Sequence, residues 1–219
     1  VWIRFVDAFM FLPYRLAVAA LAFVLLPTGA VQAQGVPPPA APSPSFDCNK
    51  ARPASIEERI CNDAALAELD TRLAQVYALA ARAVNRDNPH PRASQRAWLK
   101  QRAACMQAGS PEPSTCIAAR TRMRIAELQA RYQLVPQSGE AKLSCGRPAT
   151  RVVIRFFNTP EGNVAIAARG PQVATLYQDP TGSGIRYGDA PGTHVYEEHQ
   201  REAWLTWGRG RRAACTMLD

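Results

Sequence analysis

The hydrophobic period of this chain changes once, from 3.6 to 2, and that switch constrains its fold more than any other feature. Upstream, Leu66, Leu69, Leu73, Val76, Ala80 and Val84 recur at spacings of 3, 4, 3, 4 and 4, which is one apolar stripe on an α-helix. Downstream, short β-rich segments at 151–157, 163–167, 172–177, 184–187, 193–196, 203–207 and 213–217 are separated by Gly, Pro, Asn or Asp. The two patterns require different layers. The expected fold class is therefore α+β as two separate domains. Residues 46–133 are helical, 134–141 are a linker, and 142–219 are a compact antiparallel barrel or sandwich.

Local signals divide the helical half. Ser55-Ile56-Glu57-Glu58 fits a capping box, and Asn62 or Asp63 can cap the next helix. Asn88-Pro89-His90-Pro91 ends that helix, because proline disfavours helical backbone at the residue before it. A further helix is expected from about Ser94 to Met106, with Trp98, Leu99, Cys105 and Met106 buried. After a turn at Gly109 to Pro113, Ser114 caps a last helix. Ile117, Thr121, Ile125, Leu128 and Tyr132 share one of its faces. The result is a small antiparallel bundle.

Residues 1–33 have the form of a secretory signal. Arg4 and Arg15 precede an 11-residue apolar run, Leu16 to Leu26, and Val31-Gln32-Ala33 offers small residues for cleavage. The run is shorter than the roughly 20 residues a membrane helix needs. Residues 34–45 are a proline-rich tether, extended by composition. The expected location is periplasmic or secreted, with no stable membrane anchor after cleavage.

In an oxidising compartment, six cysteines imply three disulfides. Cys145 and Cys215 bracket the β-rich half and are expected to join its ends, a closure worth roughly 4 kcal/mol. Cys48, Cys61, Cys105 and Cys116 allow three connectivities. Sequence-local pairing gives Cys48–Cys61 and Cys105–Cys116.

No enzyme motif is present: H-E-x-x-H, G-x-S-x-G and the P-loop are all missing. His194 and His199 point to opposite faces of a strand, which argues against a metal site. The pairs Glu57/Glu58 and Glu197/Glu198 read as solvated surface, and His90 as a loop residue. Disulfide pairing removes the thiolates that nucleophilic catalysis requires. Neither an enzyme, a cofactor nor a metal is expected. The net charge is +8, and 23 of the 26 basic residues are Arg. Its densest cluster, Arg209-Gly210-Arg211-Arg212, is first of all a hairpin turn. Nucleic acid is not an expected partner of an exported chain; nonspecific contact with anionic envelope polymers is.

The β-rich half holds one sharper signal, Thr181-Gly182-Ser183-Gly184-Ile185-Arg186-Tyr187, a tight loop that projects a serine and runs into a strand. With Cys145, Glu202-Ala203 and Cys215, it makes residues 143–216 resemble the MliC family, the membrane-bound inhibitors of c-type lysozyme. The resemblance implies an eight-stranded antiparallel barrel. It also implies that Ser183 enters the lysozyme cleft and hydrogen-bonds a catalytic carboxylate. Gly184, Arg186 and Tyr187 would belong to the same lysozyme-contacting loop. The family's second loop carries Lys-Gly, whereas this chain has Tyr196-Glu-Glu-His-Gln-Arg-Glu-Ala203. A carboxylate there would face the enzyme's carboxylates and repel them. Arg201 is the available substitute cation. Because c-type lysozymes are usually basic, the net charge of the chain also works against association.

The helical half resembles the LprI family, named for a lysozyme-inhibiting lipoprotein. Phe46-Asp47-Cys48, Glu58-Arg59-Ile60-Cys61, Leu69-Asp70, Gln95 to Leu99, Arg102, Cys105 and Cys116 carry that likeness. Glu58, Asp70, Arg96 and Arg102 are expected to form ion pairs between helices. Together the two resemblances imply a disulfide-linked helical bundle followed by a small antiparallel eight-stranded β-barrel. Lysozyme is the implied partner and steric occlusion of its cleft the mechanism. The alternative is an envelope or peptidoglycan binding module that has lost inhibition.

Overall fold

A computed structural model describes residues 42–84, 88–107, 109 and 112–219. The signal segment, most of the tether and part of the 109–113 turn lie outside the described residues. Four α-helices come first among them: α1 Ile56–Cys61, α2 Ala64–Arg82, α3 Arg92–Ala103 and α4 Pro113–Arg131. Eight strands follow: β1 Gln137–Cys145, β2 Thr150–Thr159, β3 Gly162–Arg169, β4 Gln172–Gln178, β5 Ile185–Gly188, β6 His194–His199, β7 Glu202–Trp207 and β8 Ala213–Leu218. Each strand pairs antiparallel with the next, and β8 returns to β1, so the sheet is a closed barrel. Closure leaves no free sheet edge.

The helix starts follow the capping chemistry. Ser55 Oγ accepts from Glu58 N at 3.1 Å, and the Glu58 carboxylate accepts from Ala54 N, one residue before the cap. Asp63 caps α2 by accepting from Ala65 N and Leu66 N. At α4, Glu112 caps in place of Ser114, accepting from Ser114 N and Thr115 N, with Pro113 at the first helical position. α3 begins at Arg92, two residues early, because Pro91 is free to start it. Leu99, next to buried Trp98 on α3, is exposed, and so is Val84, which falls beyond the end of α2. The remaining members pack as expected, with Leu73, Val76 and Ala80 against Trp98, Ile125, Leu128 and Tyr132.

The disulfides are Cys48–Cys61, Cys105–Cys116 and Cys145–Cys215. The third bridges directly opposed residues of β1 and β8 and so staples the barrel seam. Cys145 ends β1 and does not precede the first strand. Most of 135–141 is strand, and Ala141 and Leu143 enter the barrel core.

Each half has its own core. Inward-facing Leu143, Val152, Ile154, Ala165, Ala167, Leu176, Tyr187, Tyr196 and Leu205 fill the barrel. A smaller cluster joins the halves, in which Ala126 and Ala130 of α4 pack on Phe157, Val164 and Ile166. Small residues on α4 let helix and sheet approach closely. β3 is consequently buried on both faces from Val164 to Ala167. Arg131 Nε donates to Thr175 Oγ1 at 2.9 Å, and Arg72 pairs with Glu161 at 3.4 Å along the same interface.

Candidate functional site

Connections alternate between the two ends of an up-and-down barrel. Loop 179–184 and the β6–β7 hairpin, with Gln200 and Arg201 at its tip, therefore share one end. They touch through backbone. Gly184 has φ +73°, and a Cβ placed there would lie 2.2 Å from the Glu198 carbonyl oxygen and 3.2 Å from His199 Cα. Only glycine supplies both the left-handed backbone and the space.

The loop is braced around its serine. Thr181 Oγ1 accepts from Ser183 N at 3.1 Å and donates to Ser183 O at 2.6 Å. At the loop base, Asp179 N donates to Arg186 O at 2.9 Å, and Arg186 Nε donates to the Asp179 carboxylate at 3.2 Å. Ser183 itself is exposed, and its hydroxyl makes no hydrogen bond among the described residues. A held backbone with an uncommitted hydroxyl is preorganised to meet a partner.

The other expected contacts fare differently. Gly184 lies in the loop as expected. Tyr187 is 6% exposed and stacks on Phe156 inside the barrel at a 5.4 Å centroid distance. It supports the base of the loop from inside the barrel and does not project with Ser183. Arg186 is half-buried and committed to Asp179 and, at 2.6 Å, to Glu197. Arg201 is exposed at the hairpin tip, beside the Ser183 loop, and forms no ion pair among the described residues.

Two of the three acids of the altered segment, Glu197 and Glu198, are also committed. Glu197 accepts from Arg212 Nε at 2.8 Å as well as from Arg186, and Arg212 stacks over Trp204 at 4.2 Å. Burial acts to raise the Glu197 pKa, but the hydrogen bond and charge of Arg212, then of Arg186, outweigh it and hold the carboxyl below its ordinary range. Glu198 turns toward the barrel interior and accepts from the Tyr196 hydroxyl. Burial, and then that bond, push the Tyr196 phenol well above its usual range. The repulsive carboxylate expected at Glu197 is thus neutralised within the barrel wall.

Sequence reasoning missed Thr181 and Asp179. A Thr two residues before a loop serine was the available signal for the turn. In the bundle, Asp70 and Arg102 do approach, but only to 4.0 Å. Asp70 instead accepts from Ser45 N at 2.9 Å and from Ser45 Oγ, which pins the end of the tether to α2. Arg96 is exposed and outside any ion pair among the described residues, and Glu58 serves as a cap. His194 binds Asp189 at 2.7 Å, at the opposite barrel end from Ser183. Among the described residues, no group of three His, Cys, Asp or Glu is placed to hold a metal.

Comparison with known proteins matches two family models in order along the chain. Residues 48–128 match "Lysozyme inhibitor LprI", and residues 144–213 match "Membrane-bound lysozyme-inhibitor of c-type lysozyme", MliC. The protein named lipoprotein LprI in Mycobacterium tuberculosis and in Mycobacterium bovis is 30% identical over 163 residues. That alignment covers 74% of this chain and 78% of the relative. No solved structure matches the chain significantly. No described helix is long and apolar enough to cross a membrane.

Proposed function

Because the chain belongs to the LprI family of lysozyme inhibitors, we propose that it is an exported inhibitor of c-type lysozyme acting through the Ser183 end of its barrel. The observation that carries this reading is the braced loop, in which Thr181 and Gly184 fix the backbone while the Ser183 hydroxyl stays uncommitted. Ser183 enters the cleft and hydrogen-bonds a catalytic carboxylate. Arg201, on the adjoining hairpin, supplies the cation that the altered second loop otherwise lacks. Inhibition is steric, so neither a cofactor nor a covalent step is involved.

Charge placement supports the same reading. Around the Ser183 loop Arg186 is neutralised by Asp179 and Glu197, and Glu202 lies beside Arg201 on the β6–β7 hairpin. The end offered to a basic enzyme is therefore not itself strongly basic, whatever the net charge of the chain. The test is a titration of the oxidised protein into c-type lysozyme clearing a peptidoglycan suspension, with a goose-type enzyme in parallel. Stoichiometric loss of clearing with the c-type enzyme alone is expected. No loss at large molar excess overturns the reading. Sedimentation with insoluble peptidoglycan in the absence of lysozyme would then favour the envelope-binding alternative.

A further inference from the structure

The barrel end opposite Ser183 is built from the loops 146–149, 170–171, 189–193 and 208–212, and there the cations other than Arg212, which reaches Glu197, are not neutralised. An open cup at this mouth is lined by Arg147, Arg169, Arg211 and Trp207 over a floor that includes Val152 and Leu205. None of these three arginines makes a side-chain hydrogen bond or ion pair among the described residues, in contrast to Arg186 and Arg212. Arg151 and Arg209 are exposed at the same end. Those four loops contain one carboxylate, Asp189, and it is already occupied. It accepts from His194 N at 2.9 Å and from Thr193 Oγ1 at 2.7 Å, and meets the His194 ring at 2.7 Å.

Gathering like charges without counter-ions costs free energy that an anionic ligand would recover. We propose that this mouth is a binding site for a phosphate group. Phosphate fits the set better than a carboxylate does. One guanidinium fork already engages both oxygens and balances the single charge of a carboxylate, whereas a phosphate presents its oxygens in three dimensions and can be shared by arginines arriving from several loops. The indole of Trp207 is held in place by its N–H donating to Gln172 Oε1 at 3.0 Å and by the edge of His194 at a 4.9 Å centroid distance. It gives the cup a rigid apolar wall. The phosphate can come from a soluble ester or from a headgroup at an anionic bilayer surface. This site lies at the far end from Ser183, so it does not depend on the lysozyme reading, and both ends can be occupied at once.

The test titrates inorganic phosphate into the oxidised protein and follows the Trp207 indole N–H by NMR, with chloride at matched ionic strength as control. Sedimentation with phosphatidylglycerol vesicles, against phosphatidylcholine vesicles, forms the second arm. Each is repeated with Arg169→Gln/Arg211→Gln and with Arg147→Gln/Arg211→Gln, two pairs that keep the test open should one fold poorly. A saturable response specific to phosphate, weakened more than about tenfold in the variants, is expected. Sedimentation with the anionic vesicles only, lost in the variants, assigns the phosphate to a lipid headgroup. Phosphate binding without sedimentation assigns it to a soluble ester. The proposal is overturned if phosphate acts no differently from chloride and neither vesicle sediments the protein. It is equally overturned if binding persists undiminished in the variants.

Discussion

Replacing Gly184 by alanine tests the loop geometry at a single methyl group. The added Cβ would sit 2.2 Å from the Glu198 carbonyl oxygen and 3.2 Å from both its carbon and His199 Cα. All three obstacles are backbone, so no side chain can rotate away. The left-handed backbone at φ +73° adds about 1–2 kcal/mol of strain for any residue with a Cβ. To restore van der Waals contact the loop must retreat from the β6–β7 hairpin by about 1 Å, next to the Ile185–Glu198 ladder pair. A destabilisation of about 1–3 kcal/mol follows, or a fall in Tm of roughly 3–10 °C for a chain of this size. Displacing the braced serine should weaken lysozyme binding by at least about 30-fold, as expected for a central contact. Gly182 is the internal control. It has ordinary φ, and a Cβ added there would meet nothing within 4 Å, so Gly182→Ala should leave Tm unchanged. Thermal unfolding and inhibition titrations of both variants check this. Equal Tm and equal potency for Gly184→Ala and the parent would refute the argument.

Ser183→Arg should abolish inhibition while leaving Tm within a degree or two of the parent, because the residue is exposed; unchanged potency would remove Ser183 from the mechanism. Arg102 is buried, its Nε has no hydrogen-bond partner among the described residues, and the Asp70 and Glu57 carboxylates lie 3.9–4.0 Å away. Burial lowers its pKa against the opposing pull of those acids; Arg102→Met would leave the Asp70 carboxylate buried without its cation and remove the guanidinium from the Trp98 ring, so it should destabilise the bundle by at least about 1 kcal/mol in chemical denaturation. Asp70→Ala releases Ser45 and should cost about 1–3 kcal/mol in the same measurement. Glu197 has a depressed folded pKa, so its contribution is present above the ordinary carboxylate range and is lost as pH falls through the folded value. Glu197→Gln should therefore flatten the acid limb of a stability–pH curve and leave its alkaline limb unchanged.

The helices and their register were legible because the apolar stripes and Ser/Asp caps are local signals. The cap of α4 was not. Both Glu112 and Ser114 flank Pro113, and choosing between them requires the backbone path into the helix. The first barrel strand was hidden for a related reason. Gln137 to Glu140 are mostly exposed, so this half of β1 carries almost no apolar alternation. The continuous run Val164 to Ala167 did announce a strand buried on both faces, but not that α4 covers its outer side. At the loop, the Gly-Ser-Gly spacing marked the projecting serine. The commitment of Glu197 to Arg186 and Arg212 became visible only when β5, β6 and the β7–β8 turn were brought together. Sequence order places Arg212 far from Glu197, and net charge is blind to such pairing.

The central claim is that lysozyme is held by the Ser183 end of the barrel. Hydrogen–deuterium exchange of the protein with and without saturating c-type lysozyme addresses it directly. Added protection confined to residues 179–185 and 198–202 is the predicted result. Protection on the helices or at the 208–212 mouth, with the Ser183 loop unchanged, would contradict it.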